Sequence, residues 1–120
     1  MSWERDIGSP VRDMIESCEY IIAFAQGVSD DELPDPRRPV RGAVMHHLTV
    51  LGEASKQVSE EWVLRYADIP WKRIAGMRDK IVHHYFGLDD NVVVSTVRMS
   101  VPAILLQLRA MLREMDALGD

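Results

Sequence analysis

Val94, Val97, Val101, Ile104, Leu105, Leu108, Met111, Leu112 and Met115 form an unbroken apolar stripe at spacings of one, three and four. Side chains at that spacing share one face of an α-helix and must be buried together. Pro102 lies inside the stripe and removes one backbone N–H, so a kink is expected there. Other stretches show the same period. Val11, Met14, Ile15, Cys18, Ile21, Ile22 and Ala25 follow a Ser9-Pro10 start, which reads as an N-cap with proline at the first helical position, and Gly27 closes the element. Val40, Ala43, Val44, His47, Leu48, Leu51, Ala54 and Val58 mark a second helix, after a loop over residues 28–39 that carries three prolines. Ser59-Glu60-Glu61 starts a short helix to about Tyr66, since acids suit a helix N-terminus. Ile69-Pro70-Trp71 opens another, with Trp71, Ile74, Ile81 and Tyr85 as packing positions, and Gly87-Leu88-Asp89 breaks and recaps the chain. No useful length alternates with period two; Asn91–Val94 is too short. The expectation is an all-α fold, an antiparallel four-helix up-and-down bundle with a short extra helix.

A chain of 120 residues is expected to form one domain, 1–120, with a single modest core. Apolar content of 47% without a long uncharged run argues against a membrane span. The start, Met1-Ser2-Trp3-Glu4-Arg5-Asp6, is charged and lacks the apolar run of a secretion signal. The lone Cys18 sits on an apolar stripe and reads as a small buried hydrophobe, so a reducing cytoplasmic location is the expectation. Net charge is −5, but unevenly spread: residues 1–36 hold nine acids and two bases, whereas residues 62–86 hold five bases and two acids. The basic excess surrounds one polar cluster, where a solvated helix face and an anion site are both open readings.

That cluster is Arg78-Asp79-Lys80-Ile81-Val82-His83-His84-Tyr85. Arginine holds phosphate through paired hydrogen bonds, and histidine moves protons near neutrality. No glycine-rich phosphate loop, zinc spacing or nucleophile elbow is present, and no metal or other cofactor is expected. Adjacent histidines such as His46-His47 and His83-His84 diverge by about 100° on a helix, which disfavours a shared metal. His47 reads as a hydrogen-bonded packing residue. Arg78 and Tyr85 lie about 20° apart on one stripe, whereas His83 points about 140° from Arg78. Either the helix ends or distorts near His83, or the site combines two subunits about a two-fold axis. The bland alternative pairs Arg78 with a neighbouring acid, makes His83 a helix cap and leaves Tyr85 as a packing aromatic.

The string Ile69-Pro70-Trp71-Lys72-Arg73-Ile74-Ala75-Gly76-Met77-Arg78-Asp79-Lys80-Ile81-Val82-His83-His84-Tyr85-Phe86-Gly87-Leu88-Asp89 resembles the HepT-like branch of the HEPN superfamily. Leu51-Gly52-Glu53-Ala54 is similar to a second string of that family. The resemblance implies a toxin-type, metal-independent endoribonuclease that works as a homodimer with Arg-x4-His-x-Tyr in a cleft. It implies Arg78 and His83 as the catalytic pair; Asp79 and His84 are the candidate supporting residues, His84 either orienting the chain or facing solvent. It further implies an MntA-like nucleotidyltransferase antitoxin that adenylylates Tyr85. Asp79 stands where the family often has asparagine, which adds negative charge beside an incoming phosphate. In the expected mechanism His83 takes the proton from an RNA 2′-hydroxyl, and Arg78 steadies charge on the phosphoryl oxygens. The rival reading is a non-catalytic helical module that binds a nucleotide or a partner nucleotidyltransferase.

Overall fold

Each apolar stripe becomes a helix whose stripe is buried against the others, in a computed structural model that describes residues 6–119. The charged start discussed above, residues 1–5, lies outside the described residues. The helices are α1 (Ser9–Ala25), α2 (Pro39–Ser55), α3 (Glu60–Arg65), α4 (Trp71–His84) and α5 (Asp90–Gly119). A 3-10 turn, Tyr85–Gly87, follows α4, and the described residues contain no strand. α1 packs on α2 and on α5, while α4 rests on α2. Val11, Met14, Cys18, Ile21, Val44, Val101, Leu108 and Met111 are all but inaccessible at the centre.

The boundaries follow local chemistry. Gly8 occupies the cap position of α1, so Ser9 is the first helical residue rather than the cap. The Asp6 carboxylate accepts from the Gly8 N–H at 2.9 Å. Gly27 ends the element with φ of 76°, a conformation that glycine adopts without steric penalty. At the start of α5 the Asp89 side chain accepts from the Asn91 N–H at 2.8 Å and from the Val92 N–H.

The segment between α1 and α2 is less loose than its prolines suggest. Leu33 is fully buried, and Arg98 of α5 clamps the loop. Its Nη1 donates to the Ala25 carbonyl at 2.8 Å, its Nη2 to the Val28 carbonyl at 2.5 Å and its Nε to Asp30 at 3.1 Å. The C-terminal end of α1 is thereby capped by a cation, the favoured charge there.

Pro102 does not break α5. In a regular helix its missing N–H would leave the Arg98 carbonyl unbonded. The chain instead widens into a π-type turn over Thr96–Ser100, with the Val101 N–H bonding the Thr96 carbonyl, and the helix continues. By length and composition alone α5 is long and apolar enough to cross a bilayer, a test that the core helix of a bundle also passes. Val93, Val97, Val101, Ile104, Leu105, Leu108, Met111 and Met115 are spent on the core instead.

Candidate active site at the crossing of α2 and α4

Gly52 sets how closely α2 and α4 approach. A Cβ built there would lie 2.3 Å from the Arg78 Cβ and 3.2 Å from the Ile74 carbonyl oxygen. The absent side chain lets Arg78 lie flat across α2 with only 26% of its side chain exposed. Its Nε forms an ion pair with the Glu53 carboxylate, without the alignment of a good hydrogen bond. Its Nη1 donates to Asp79 Oδ1 at 3.1 Å.

Lys56 completes a network of alternating charge. Its Nζ lies 3.3 Å from the same Asp79 oxygen and 3.9 Å from Glu53. The Asp79 carboxyl is held below its ordinary value, first by Arg78 and then by Lys56. Asp79 therefore faces two cations, and much of the charge expected to repel a phosphate is neutralised locally.

His83 and His84 are exposed at the end of α4. The helix persists through His83 and departs only at His84, with φ −137° and ψ 40°. That departure comes too late to swing His83 towards Arg78, and the divergence of about 140° stands within the subunit. Asp79, four residues before His83, shares its face.

Tyr85 is half-buried, and its partner was not foreseen. Arg41 of α2 places its guanidinium carbon 4.4 Å from the ring centroid and donates from Nη2 to the Tyr85 carbonyl at 2.8 Å. Arg41 is only 4% exposed. A sequence signal existed: Arg41 is in phase with Val44, Leu48 and Leu51, a lone charge on an apolar stripe. Phe86, edge-on to Tyr85 at 5.1 Å, is 89% exposed, and Val82 is half exposed beside it.

His47 departs from expectation. Its ring stacks on Tyr20 at 4.8 Å, and its buried Nδ1 has no hydrogen-bond partner among the described residues. Burial, then the neighbouring His46, lowers its pKa, which favours the neutral form. Among the described residues no three His, Cys, Asp or Glu side chains come together as a metal site.

A family model described as ribonuclease HepT-like matches residues 14–111. A protein of Caldanaerobacter subterraneus subsp. tengcongensis, named as a candidate RNase, is 32% identical over 84% of this chain and 89% of its own. A candidate RNase of Methanocaldococcus jannaschii is 32% identical over 94% of this chain and 93% of its own. A candidate ribonuclease HepT of Thermococcus cleftensis is 35% identical over 78% of this chain and 84% of its own. No solved structure matches. With the all-helical architecture of the described residues and the Arg78–Tyr85 cluster at the α2–α4 crossing, these matches place the chain in the ribonuclease HepT-like family of the HEPN superfamily.

Proposed function

We propose that this protein is a metal-independent endoribonuclease, the toxin of a toxin–antitoxin pair, acting as a homodimer in the cytoplasm. The observation that carries the reading is an arginine locked flat between helices, Arg78 against Gly52 and Glu53, on the same helix as two exposed histidines. His83 removes the proton from a 2′-hydroxyl, whose oxygen attacks the adjacent phosphorus. The P–O5′ bond breaks, leaving a cyclic phosphate and a 5′-hydroxyl that takes up a proton. Arg78 stabilises charge on the phosphoryl oxygens as it develops. His84 and Asp79 flank the pair. DNA lacks the nucleophile and is not cut by this route.

Because Arg78 and His83 diverge on one helix, the working site takes Arg78 from one subunit and His83 from the other. The exposed Phe86 and Val82 give that face apolar surface to bury. Control comes from an MntA-like nucleotidyltransferase that adenylylates Tyr85, adding bulk and negative charge at the mouth of the site.

A mixing experiment tests the composite site. Arg78→Ala and His83→Ala subunits, each inactive alone, are combined at equal concentration and assayed on RNA in chelator. Random pairing makes half the dimers mixed, each with one intact site, so activity recovers to about one quarter of wild type. No recovery, with light scattering confirming exchange, defeats the two-subunit site. Cleavage retained by folded His83→Ala alone defeats the nuclease mechanism. The alternative, a non-catalytic module for a nucleotide or a partner nucleotidyltransferase, draws support from the Arg78 ion pairs, since both carboxylates compete with an incoming phosphate.

A further inference from the structure

Arg41 carries more unused binding capacity than any other buried side chain described here. Its residue is 4% exposed, yet Nε and Nη1 are buried without a hydrogen-bond partner among the described residues. Its one hydrogen bond among the described residues, from Nη2, goes to the Tyr85 carbonyl, and its guanidinium lies over the Tyr85 ring. A buried guanidinium with idle N–H groups is destabilising until an anion or other acceptor reaches it.

We propose that Arg41 is the receptor for a phosphodiester carried on the Tyr85 oxygen, a role that rests on the adenylylation reading above. In the transfer, the Tyr85 oxygen attacks the α-phosphorus of ATP and a new O–P bond forms. The bond from that phosphorus to the oxygen linking it to the β-phosphorus breaks, pyrophosphate leaves with that oxygen and the electron pair, and the phenolic proton passes to solvent. One negative charge remains, attached to the ring that Arg41 already covers. The phosphodiester oxygens reach the idle N–H groups, both closed to solvent in the unmodified protein, once the Tyr85 side chain turns on the guanidinium face. Arg78 is the poorer receptor. It lies two turns back along α4, a rise of roughly 10 Å, and its donors face Glu53 and Asp79. The shallow groove beside the ring, lined by Gly42, His46, Ile81 and Val82, gives the attached nucleoside a surface to lie on. Modification therefore supplies Arg41 with its missing acceptor and holds the modified tyrosine against α2.

The test needs no partner protein. Sulfotyrosine, a tetrahedral monoanion like the phosphodiester, is installed at position 85 of the full chain by codon reassignment. Chemical denaturation is then compared with the Tyr85 protein in wild-type, Arg41→Met, Arg41→Lys and Arg78→Lys backgrounds. The expected coupling is about tenfold or more in the folding equilibrium constant for wild type, as for a charge-assisted hydrogen bond. It persists in Arg78→Lys, shrinks in Arg41→Lys and vanishes in Arg41→Met. Should Arg41→Met not fold, the Arg41 Nε–H resonance of the wild-type pair decides: it shifts and its exchange slows at least about tenfold with the sulfate present. Coupling that follows Arg78 instead, or an unchanged Arg41 resonance, overturns the proposal. Failure of the adenylylation reading shows separately, as unmodified Tyr85 in the mass spectrum after incubation with ATP and the nucleotidyltransferase.

Discussion

Replacing Gly52 with alanine separates the role of this glycine in the site from the ordinary effect of glycine in a helix. The new Cβ would lie 2.3 Å from the Arg78 Cβ, 3.0 Å from its Cγ and 3.2 Å from the Ile74 carbonyl oxygen. Ordinary carbon contacts lie at about 3.5–4.0 Å, so α2 and α4 must part by roughly 1 Å. The obstructing atoms are a carbonyl and a Cβ fixed to the helix, so rotamer change cannot relieve the clash. Overpacking of this kind destabilises by about 1–3 kcal/mol, offset by about 0.5–1 kcal/mol of improved helix propensity. A net loss of about 1–2 kcal/mol in urea unfolding is expected. Activity should fall further than stability, by roughly 10²-fold on a fluorogenic RNA, because Arg78 moves with α4. Gly42→Ala is the control: its Cβ meets nothing within 4 Å, and it should stabilise by about 0.5–1 kcal/mol with activity unchanged. A Gly52→Ala protein as stable and active as Gly42→Ala would refute the close-approach reasoning.

Arg78→Lys keeps the charge but loses the planar fork, and cleavage should drop about 10²-fold; undiminished cleavage would make Arg78 structural. Tyr85→Phe keeps the ring under Arg41, so cleavage should stay within a few-fold while neutralisation by the nucleotidyltransferase is lost; neutralisation that persists through AMP at another residue would sink the assignment. Burial, then Glu19, pushes the Cys18 thiol up to about 12 from 9.0. The neutral thiol is thus favoured by folding, and its contribution is full below pH 9 and lost as pH rises towards 12. Urea midpoints should fall between pH 8 and pH 10.5 less steeply in Cys18→Ala than in wild type, and rapid labelling of the folded thiol at pH 8 would contradict its burial.

Helix number and the packed faces were readable because period 3.6 leaves a dense record, nowhere clearer than in Val97, Val101, Ile104 and Leu108. Leu33 escaped because one apolar residue among prolines and acids has no period. The π-type turn escaped because proline signals a lost hydrogen bond without saying whether the helix bends or widens. At the candidate site, Arg78, Asp79, His83, His84 and Tyr85 are contiguous and were found together. Glu53 and Lys56 reach the site only through packing of α2 on α4, which local sequence does not encode. Arg41 left a weak local sign, a charge in phase with Val44 and Leu48, but its pairing with Tyr85 spans 44 positions.

The Arg98 clamp bears on how this chain folds in time. Its contacts join positions 68 to 73 residues apart, so they form only after the intervening helices have brought the last helix back to the first. Interactions of such long separation are typically absent from the rate-limiting state, whose structure favours short-range contacts. Removing them by Arg98→Met should leave the refolding rate nearly unchanged and speed unfolding. In a stopped-flow chevron the unfolding limb rises and the refolding limb stays in place. The guanidinium then acts as a latch on the lifetime of the native state, fastened last and released first.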